Sequence, residues 1–241
     1  MSASRRVEPA TVLFAAAAFA SAVLLIVLQS QLTFFYDDWD VLLGRRGFSA
    51  DALLRPHHGH LLLGNAVVYK SIQETIGMES LLPYAVASTA MFLLSVVLLF
   101  VYLRRRVGDW LALAGVLPVC FLGAASTDLL FPFQIFFFGA MACGLGALLA
   151  IEGGGQRRDA LACALLVVSM AFSELAIPFA LGVGLMIARQ GGPLRRAYVG
   201  VVPLLLYAAW YAGWGHTDPS ELSFQNVANA VPYVLDGLAA G

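Results

Sequence analysis

The sequence is poor in charged residues and in cysteine, and neither sign of charge is in excess. Only 12% of the 241 residues are charged, about half the fraction of a typical soluble domain, and the net charge is −1. The three cysteines (Cys120, Cys143 and Cys163) stand singly in apolar runs, a spacing that indicates neither a disulfide framework nor a zinc site. Without a basic surface, we expect no nucleic-acid partner.

Long apolar runs are abundant instead, and 60% of the residues are hydrophobic. A helix of about 20 apolar residues crosses the hydrocarbon core of a bilayer. The runs cover residues 11–30, 81–103, 110–125, 132–151, 160–172, 175–188 and 198–214. This pattern predicts an all-α, polytopic membrane helical bundle with about seven transmembrane helices. We therefore expect an integral membrane protein, located in a bacterial plasma membrane.

The basic residues predict the orientation of these crossings. Ten of the 14 lysines and arginines fall in alternate gaps between the runs: Arg5, Arg6, Arg104, Arg105, Arg106, Arg157, Arg158, Arg189, Arg195 and Arg196. Cytoplasmic loops carry an excess of such residues, so these gaps and the N-terminus are predicted to be cytoplasmic. The other four basic residues lie in residues 31–80, which becomes a long outer loop.

Residues 159–188 are the difficult stretch of this topology. As one helix they would extend about 45 Å, which is long for one crossing and short for two. One crossing would also place Arg157 and Arg189 on opposite faces, against the charge rule. We therefore predict two short helices, broken near Ser173 and Glu174. A carboxylate at membrane depth is a functional candidate; the alternative is that Glu174 caps the second helix at the water interface.

The outer loop, residues 31–80, is the only sizeable polar segment. One side of a predicted helix carries apolar residues and the other carries polar ones: Leu62, Ala66, Tyr69, Ile72 and Ile76 against Lys70, Ser71 and Glu74. This pattern predicts an amphipathic helix at the membrane surface, and a shorter helix is expected over residues 38–43. Residues 1–218 then form one transmembrane module. Residues 219–241 form an outer C-terminal segment, compatible with the start of a further region.

Two polar clusters in this loop could carry chemistry. Three carboxylates within four residues repel one another, and the aromatic residues beside them raise the cost of ionisation. A cation or hydrogen-bond donors would relieve both penalties; the alternative is a solvated acidic turn. A run with three histidines follows about 20 residues later and could supply metal ligands or acid–base groups. The clusters are Asp37, Asp38 and Asp40, and His57, His58 and His60.

Three further polar residues are binding candidates. Arg55 and Lys70 could bind phosphate, although lipid headgroups would suit them equally. Gln134 faces either a cavity or a neighbouring helix. We include all three as candidate substrate-binding residues, with Asp40, His57, His58, His60 and Glu174. A divalent metal is a possible cofactor, and the sequence does not identify one.

The order of these features resembles the membrane-embedded glycosyltransferases of the GT-C class. The most similar groups are the protein mannosyltransferases and the aminoarabinose transferases. In such enzymes an acidic residue at the start of the first outer loop is the catalytic base, which corresponds here to Asp37, with Asp38 beside it. The family often has Asp-Glu where this chain has Asp-Asp, and the run His57-His58-Gly59-His60 is a second departure.

The resemblance implies transfer of a sugar from a polyprenyl-phosphate donor to an acceptor on the outer face of the membrane. A lipid-linked sugar and membrane lipids are then the expected partners, and no protein partner is indicated. A transporter or lipid flippase would also use a broken helix pair with Glu174 at the break. It would not need three adjacent carboxylates. A non-catalytic membrane protein would need neither polar cluster.

Overall fold

The computed structural model describes residues 8–121, 123–191, 193–217, 228–230, 232 and 234–235, and within these residues the fold is all-helical, without strands. The helices are α1 (Pro9–Gln29), α2 (Asp37–Trp39), α3 (Ala50–Leu54), α4 (Leu63–Thr75), α5 (Leu82–Val107), α6 (Asp109–Cys120), α7 (Ser126–Leu130), α8 (Ile135–Ile151), α9 (Gln156–Phe172), α10 (Ala176–Gln190), α11 (Pro193–Arg196) and α12 (Tyr198–Gly213). The predicted all-α class is confirmed. Most of the outer segment predicted for residues 219–241 lies outside the described residues, as do Arg5 and Arg6.

Three of the described helical segments are long and apolar enough to cross a membrane. They are Pro9–Gln29, Leu82–Val107 and Pro132–Ile151, the last of which includes a 3₁₀ turn before α8. Three further apolar helices are shorter: α6, α10 and α12. The sequence run over residues 110–125 gives a shorter helix than expected. Helix α6 ends at Cys120 and is followed by a 3₁₀ turn and α7.

The core has two parts within the bundle and a third beneath the first loop. In one, α1 and α6 pack on α5, with Phe14 stacked on Phe100 at 4.2 Å between ring centroids. In another, α8, α9, α10 and α12 enclose residues such as Leu166 and Val183. The third lies under α4 and includes Phe34 and Tyr69.

Buried polar side chains join the helices through backbone carbonyls. Ser21 of α1 donates to Cys120 O at 2.6 Å, and Gln29 donates to Leu129 O at 2.7 Å. Ser169 of α9 donates to Ala140 O of α8 at 2.7 Å. Interhelical hydrogen bonds of this kind are common where helices pack in lipid, because no water can satisfy the groups there.

The predicted break in residues 159–188 is confirmed, since α9 ends at Phe172 and α10 begins at Ala176. Ser173 has extended backbone, with φ −166° and ψ 152°, and its hydroxyl accepts the N–H of Leu175 at 3.3 Å. The ring of Phe172 is held against Gly64 of α4 and Gly139 of α8. An added Cβ at either glycine would lie within 2.6 Å of the ring atom Cδ1.

The first loop, residues 31–80, is attached to the bundle at three places. Asn65 of α4 donates to Phe133 O at 2.8 Å, and Trp210 of α12 donates to Leu54 O at 2.7 Å. His60 lies 2.8 Å from Glu174 at the break between α9 and α10. The longer helix predicted for this loop is present as α4, and the shorter one is present as α2 with a π-helical turn over Asp40–Gly44. The loop is therefore a structured part of the fold.

Candidate active site

The acidic cluster begins where the chain leaves α1 and turns into α2. Tyr36, just before Asp37, has a positive φ of 43°, which is a strained conformation for a residue with a side chain. Residues three apart in a helical turn share a face. Asp37 and Asp40 therefore lie on one face, towards His57, while Asp38 points to the opposite side.

Asp38 is fully buried and both of its oxygens have donors within the protein. Its Oδ2 accepts the N–H of Phe35 at 2.9 Å, and its Oδ1 accepts the hydroxyl of Tyr69 at 2.8 Å. Burial raises the pKa of the Asp38 carboxyl, although these two hydrogen bonds oppose the rise. Burial also raises the pKa of Tyr69 well above its usual value, so its hydroxyl remains a donor.

Asp40 lies among basic groups. Arg55 Nη2 donates to its Oδ1 at 3.0 Å, Arg45 Nε lies 3.4 Å from its Oδ2, and His57 Nδ1 lies 3.1 Å from the same oxygen. Burial alone would raise the pKa of Asp40, but Arg45, His57 and Arg55 outweigh it and the pKa is lowered. Gly44 allows this approach, because a Cβ there would lie 2.8 Å from Asp40 Oδ1.

Arg45 fixes the segment that carries the histidines. It is almost fully buried, and its guanidinium donates to Arg55 O at 2.7 Å and to Pro56 O at 3.4 Å. One side chain thus contacts both Asp40 and the backbone that precedes His57. The distance between the two clusters is consequently set by a buried residue.

The histidine run forms a tight turn. His57 and His60 exchange two backbone hydrogen bonds of 3.0 Å, and the two central residues, His58 and Gly59, have positive φ values of 50° and 79°. Two positive φ angles define a type I′ turn, in which glycine is favoured. The turn brings the rings of His57 and His58 into an edge-to-face contact with centroids 4.5 Å apart.

His57 is the residue that joins the two clusters. Its side chain is 11% exposed and lies between Asp37 and Asp40, with Nε2 3.2 Å from Asp37 Oδ1. That distance suits an ion pair, but the geometry is not that of a hydrogen bond, and no other described group satisfies Nε2. One ligand atom each from Asp37, His57 and His58 lie within 4.8 Å of one another. Asp37 therefore lies beside the histidine run, whereas Asp38 points away from it towards Tyr69.

His60 and Glu174 form a second pair beside this cluster. Their 2.8 Å contact joins the turn to the break between α9 and α10. The hydrogen bond to Glu174 raises the pKa of His60. The second carboxylate oxygen of Glu174, Oε2, is buried and has no hydrogen-bond partner among the described residues.

Two candidates from the sequence are not brought to the cluster. The prediction that Lys70 lies on the polar side of α4 is wrong, because Lys70 is buried. Its ammonium donates to Leu42 O and to Gln73, both at 2.8 Å. Burial lowers the pKa of Lys70. Gln134 donates to Asp128 at 2.9 Å. The carbonyls at the end of the π-helical turn need donors, and Lys70 supplies one.

Sequence reasoning missed Arg45 and the role of Tyr69. Arg45 follows Asp40 by five residues, a spacing that ordinary helical periodicity does not bring together. Tyr69 was assigned correctly to the apolar side of α4. A signal for its role was available, because a buried tyrosine hydroxyl usually finds a hydrogen-bond partner, and Asp38 is a nearby acceptor.

Comparison of the chain with protein-family models, with curated proteins and with solved structures finds no match in any of the three. The described residues themselves define an all-helical protein with three helices that are long and apolar enough to cross a membrane. They also define a carboxylate–histidine cluster in its first loop.

Proposed function

We propose that this chain is a membrane glycosyltransferase of the GT-C class, which transfers a sugar from a polyprenyl-phosphate donor to an acceptor at the outer face of the membrane. The main support is that three neighbouring carboxylates have different environments. Asp38 is buried with two donors, and Asp40 is neutralised by two arginines. Asp37 keeps 24% of its side chain exposed, next to one histidine. Asp40 is more exposed, at 37%, but Arg45, Arg55 and His57 engage its oxygens. Asp37 is therefore the carboxylate with an oxygen left to act as a general base.

The proposed topology has seven crossings, with the N-terminus in the cytoplasm. It is supported by ion pairs between gaps that the charge rule assigns to one face. Arg105, in the last turn of α5, contacts Glu152, which follows α8, at 2.8 Å. Asp159, at the start of α9, contacts Arg196, before α12, at 2.7 Å. The histidine cluster and the α9–α10 break belong to the opposite end of this arrangement.

In the proposed reaction the acceptor hydroxyl loses its proton to Asp37 as its oxygen attacks the anomeric carbon of the donor sugar. The bond from that carbon to the phosphate oxygen breaks, and polyprenyl phosphate leaves. Arg55 is 45% exposed, and its Nη2 donates a hydrogen bond to Asp40. A guanidinium has five N–H donors, so the others are available to stabilise the developing phosphate charge.

An apolar cavity supports a lipid-linked donor. Its volume is about 350 Å³, and it is lined by residues of α5, α6 and α8, including Phe92, Val119 and Phe138. Leu175, the neighbour of Glu174, also lines it. An isoprenoid chain entering from the bilayer would find an apolar surface there, beside the break.

The test is Asp37→Asn, with the exposed Asp51→Asn of the same loop as the matched control. Polyprenyl-phosphate mannose and polyprenyl-phosphate aminoarabinose serve as donors for proteoliposomes containing the chain. We expect Asp37→Asn to abolish transfer, since the amide keeps the size of the side chain but cannot accept the proton. Asp51→Asn should transfer at the wild-type rate, and both variants should insert into membranes normally.

Full-rate transfer by Asp37→Asn would contradict the assignment of Asp37. Absence of transfer by the wild-type chain with both donors would contradict the proposed activity itself.

A further inference from the structure

His57 Nε2 and Asp37 Oδ1 are in close contact without forming a hydrogen bond. His57 Nδ1 lies 3.1 Å from an oxygen of Asp40, a carboxylate that Arg45 and Arg55 hold in its ionised form. An ionised carboxylate cannot donate, so a His57 ring with a single proton carries it on Nδ1. Nε2 then presents its lone pair to Asp37 Oδ1 at 3.2 Å. Two such atoms repel unless a metal ion or a second ring proton lies between them.

The surroundings of Nε2 favour the metal ion. Nε2 is buried and lacks a hydrogen-bond partner among the described residues. His58 contributes a third ligand, and one ligand atom each from Asp37, His57 and His58 lie within 4.8 Å of one another. Two imidazole nitrogens and one carboxylate oxygen suit Zn²⁺ and related divalent ions, whereas Mg²⁺ and Ca²⁺ prefer all-oxygen sites.

We propose that Asp37, His57 and His58 bind one divalent transition-metal ion of the zinc type. Asp40 is the supporting residue, because its hydrogen bond to Nδ1 orients the ring and directs Nε2 to the ion, as carboxylates commonly do for metal-bound histidines. Three protein ligands leave a coordination position open for water or substrate. The exposed His58 ring lies on the accessible side of the site.

This inference is independent of the proposed sugar transfer, because binding of the ion requires no donor. If both proposals hold, Oδ1 of Asp37 contacts the ion and its other oxygen is left for the acceptor hydroxyl. If the chain binds zinc but transfers no sugar, the metal site stands alone. If it transfers sugar after complete removal of metal, the site is not part of the reaction.

The experiment uses the full chain, purified in detergent with a tag that contains no histidine and stripped with EDTA. Zn²⁺ is added and the bound metal is counted by mass spectrometry, with affinity from calorimetry. Co²⁺ is then substituted, because its visible d–d absorption reports nitrogen and oxygen ligands. We expect one ion per chain, a Co²⁺ spectrum of low coordination number, and a higher midpoint of thermal unfolding with Zn²⁺.

The variants separate ligands from neighbours. Asp37→Asn and His58→Asn should each weaken zinc binding at least about tenfold; asparagine is used at position 58 because it tolerates positive φ. Asp40→Asn should weaken it by about 10–100-fold, as expected for a residue that orients a ligand. The matched controls are His60→Gln, from the same turn, and His216→Gln, which should bind zinc as the wild type does.

Three results would overturn the site. These are less than stoichiometric zinc on the wild-type chain, unchanged affinity in both ligand variants, or equal losses in the two controls. The first would mean that a second proton on His57 takes the place of the ion. The unfolding midpoint of each metal-free variant is compared with that of the metal-free wild type, so that loss of binding is distinguished from loss of folding.

Discussion

Replacing Gly139 by alanine tests how the loop and the broken helix pair are held together. Gly139 of α8 and Gly64 of α4 close on the same ring atoms of Phe172, the last residue of α9. Glu174, two residues after Phe172, contacts His60 of the histidine turn. The packing of one aromatic ring therefore connects the bundle, the break and the candidate site.

The size of the effect follows from the distances. A Cβ at position 139 would lie 2.6 Å from Phe172 Cδ1, which is 0.8 Å short of the 3.4 Å at which ordinary contact begins. The ring is 7% exposed, and its retreat is limited by Gly64, where a Cβ would lie 2.5 Å away. Overpacking of this kind costs about 1–3 kcal/mol. For a chain of this length that lowers the midpoint of thermal unfolding by about 2–12 °C.

The assay is thermal unfolding in detergent micelles, arranged as a double-mutant cycle with Phe172→Ala. Gly139→Ala should lower the midpoint in the wild-type background and have little effect once the ring is absent, a coupling of about 0.5–3 kcal/mol. The control is Gly184→Ala in α10, where a Cβ meets nothing within 4 Å. That change should be neutral or slightly stabilising, because alanine is the better helix former. Equal midpoints for Gly139→Ala and Gly184→Ala would refute the reasoning.

Three further results are expected. Tyr69→Phe should lower the free energy of unfolding by about 1–3 kcal/mol in the same assay, because the buried Asp38 loses a donor; wild-type stability would contradict this. Arg196→Ala should cost about 3–5 kcal/mol, because it leaves the 6% exposed Asp159 unpaired. Arg105→Ala removes a 53% exposed side chain and should cost only about 0–1 kcal/mol. A larger loss of stability for Arg105→Ala than for Arg196→Ala would contradict this expectation. A membrane-impermeant thiol reagent added outside should label Ser49→Cys above the background of the native cysteines and leave Gly153→Cys unlabelled, and the opposite pattern would reverse the proposed orientation.

The parts of the fold that follow from length and period were predictable from the sequence. The apolar runs predicted an all-helical chain. The break at Ser173 followed from comparing about 45 Å of continuous helix with a bilayer core of about 30 Å. Helix α4 was predictable because its apolar residues recur with a helical period, and Ala66 and Tyr69 are indeed buried.

The parts that depend on tertiary contacts were not predictable. Lys70 has the position of a solvated residue on a helical wheel, yet its ammonium donates a hydrogen bond to Leu42 O, 28 residues earlier in the chain. The Asp40–Arg45 contact spans five residues because the backbone there is π-helical. Periodicity alone could not predict that local change of helix type.

The assignment among the three carboxylates has a similar explanation. Their spacing placed Asp37 and Asp40 on one face of a turn, but it could not say whether that face or the face of Asp38 meets the core. The structure directs Asp38 inward, where Tyr69 and the N–H of Phe35 stabilise it.

That orientation also determines what chemistry the cluster can support. Were the turn rotated to bury Asp37, the accessible carboxylate would be Asp38, and His57 would lose both of its acidic neighbours. As folded, the arginines satisfy Asp40 and Asp40 orients the His57 ring. Nε2 of that ring then faces Asp37 Oδ1 at 3.2 Å. Asp37 is thereby left as the candidate for chemistry, because Asp38 is buried and the more exposed Asp40 is engaged by Arg45, Arg55 and His57.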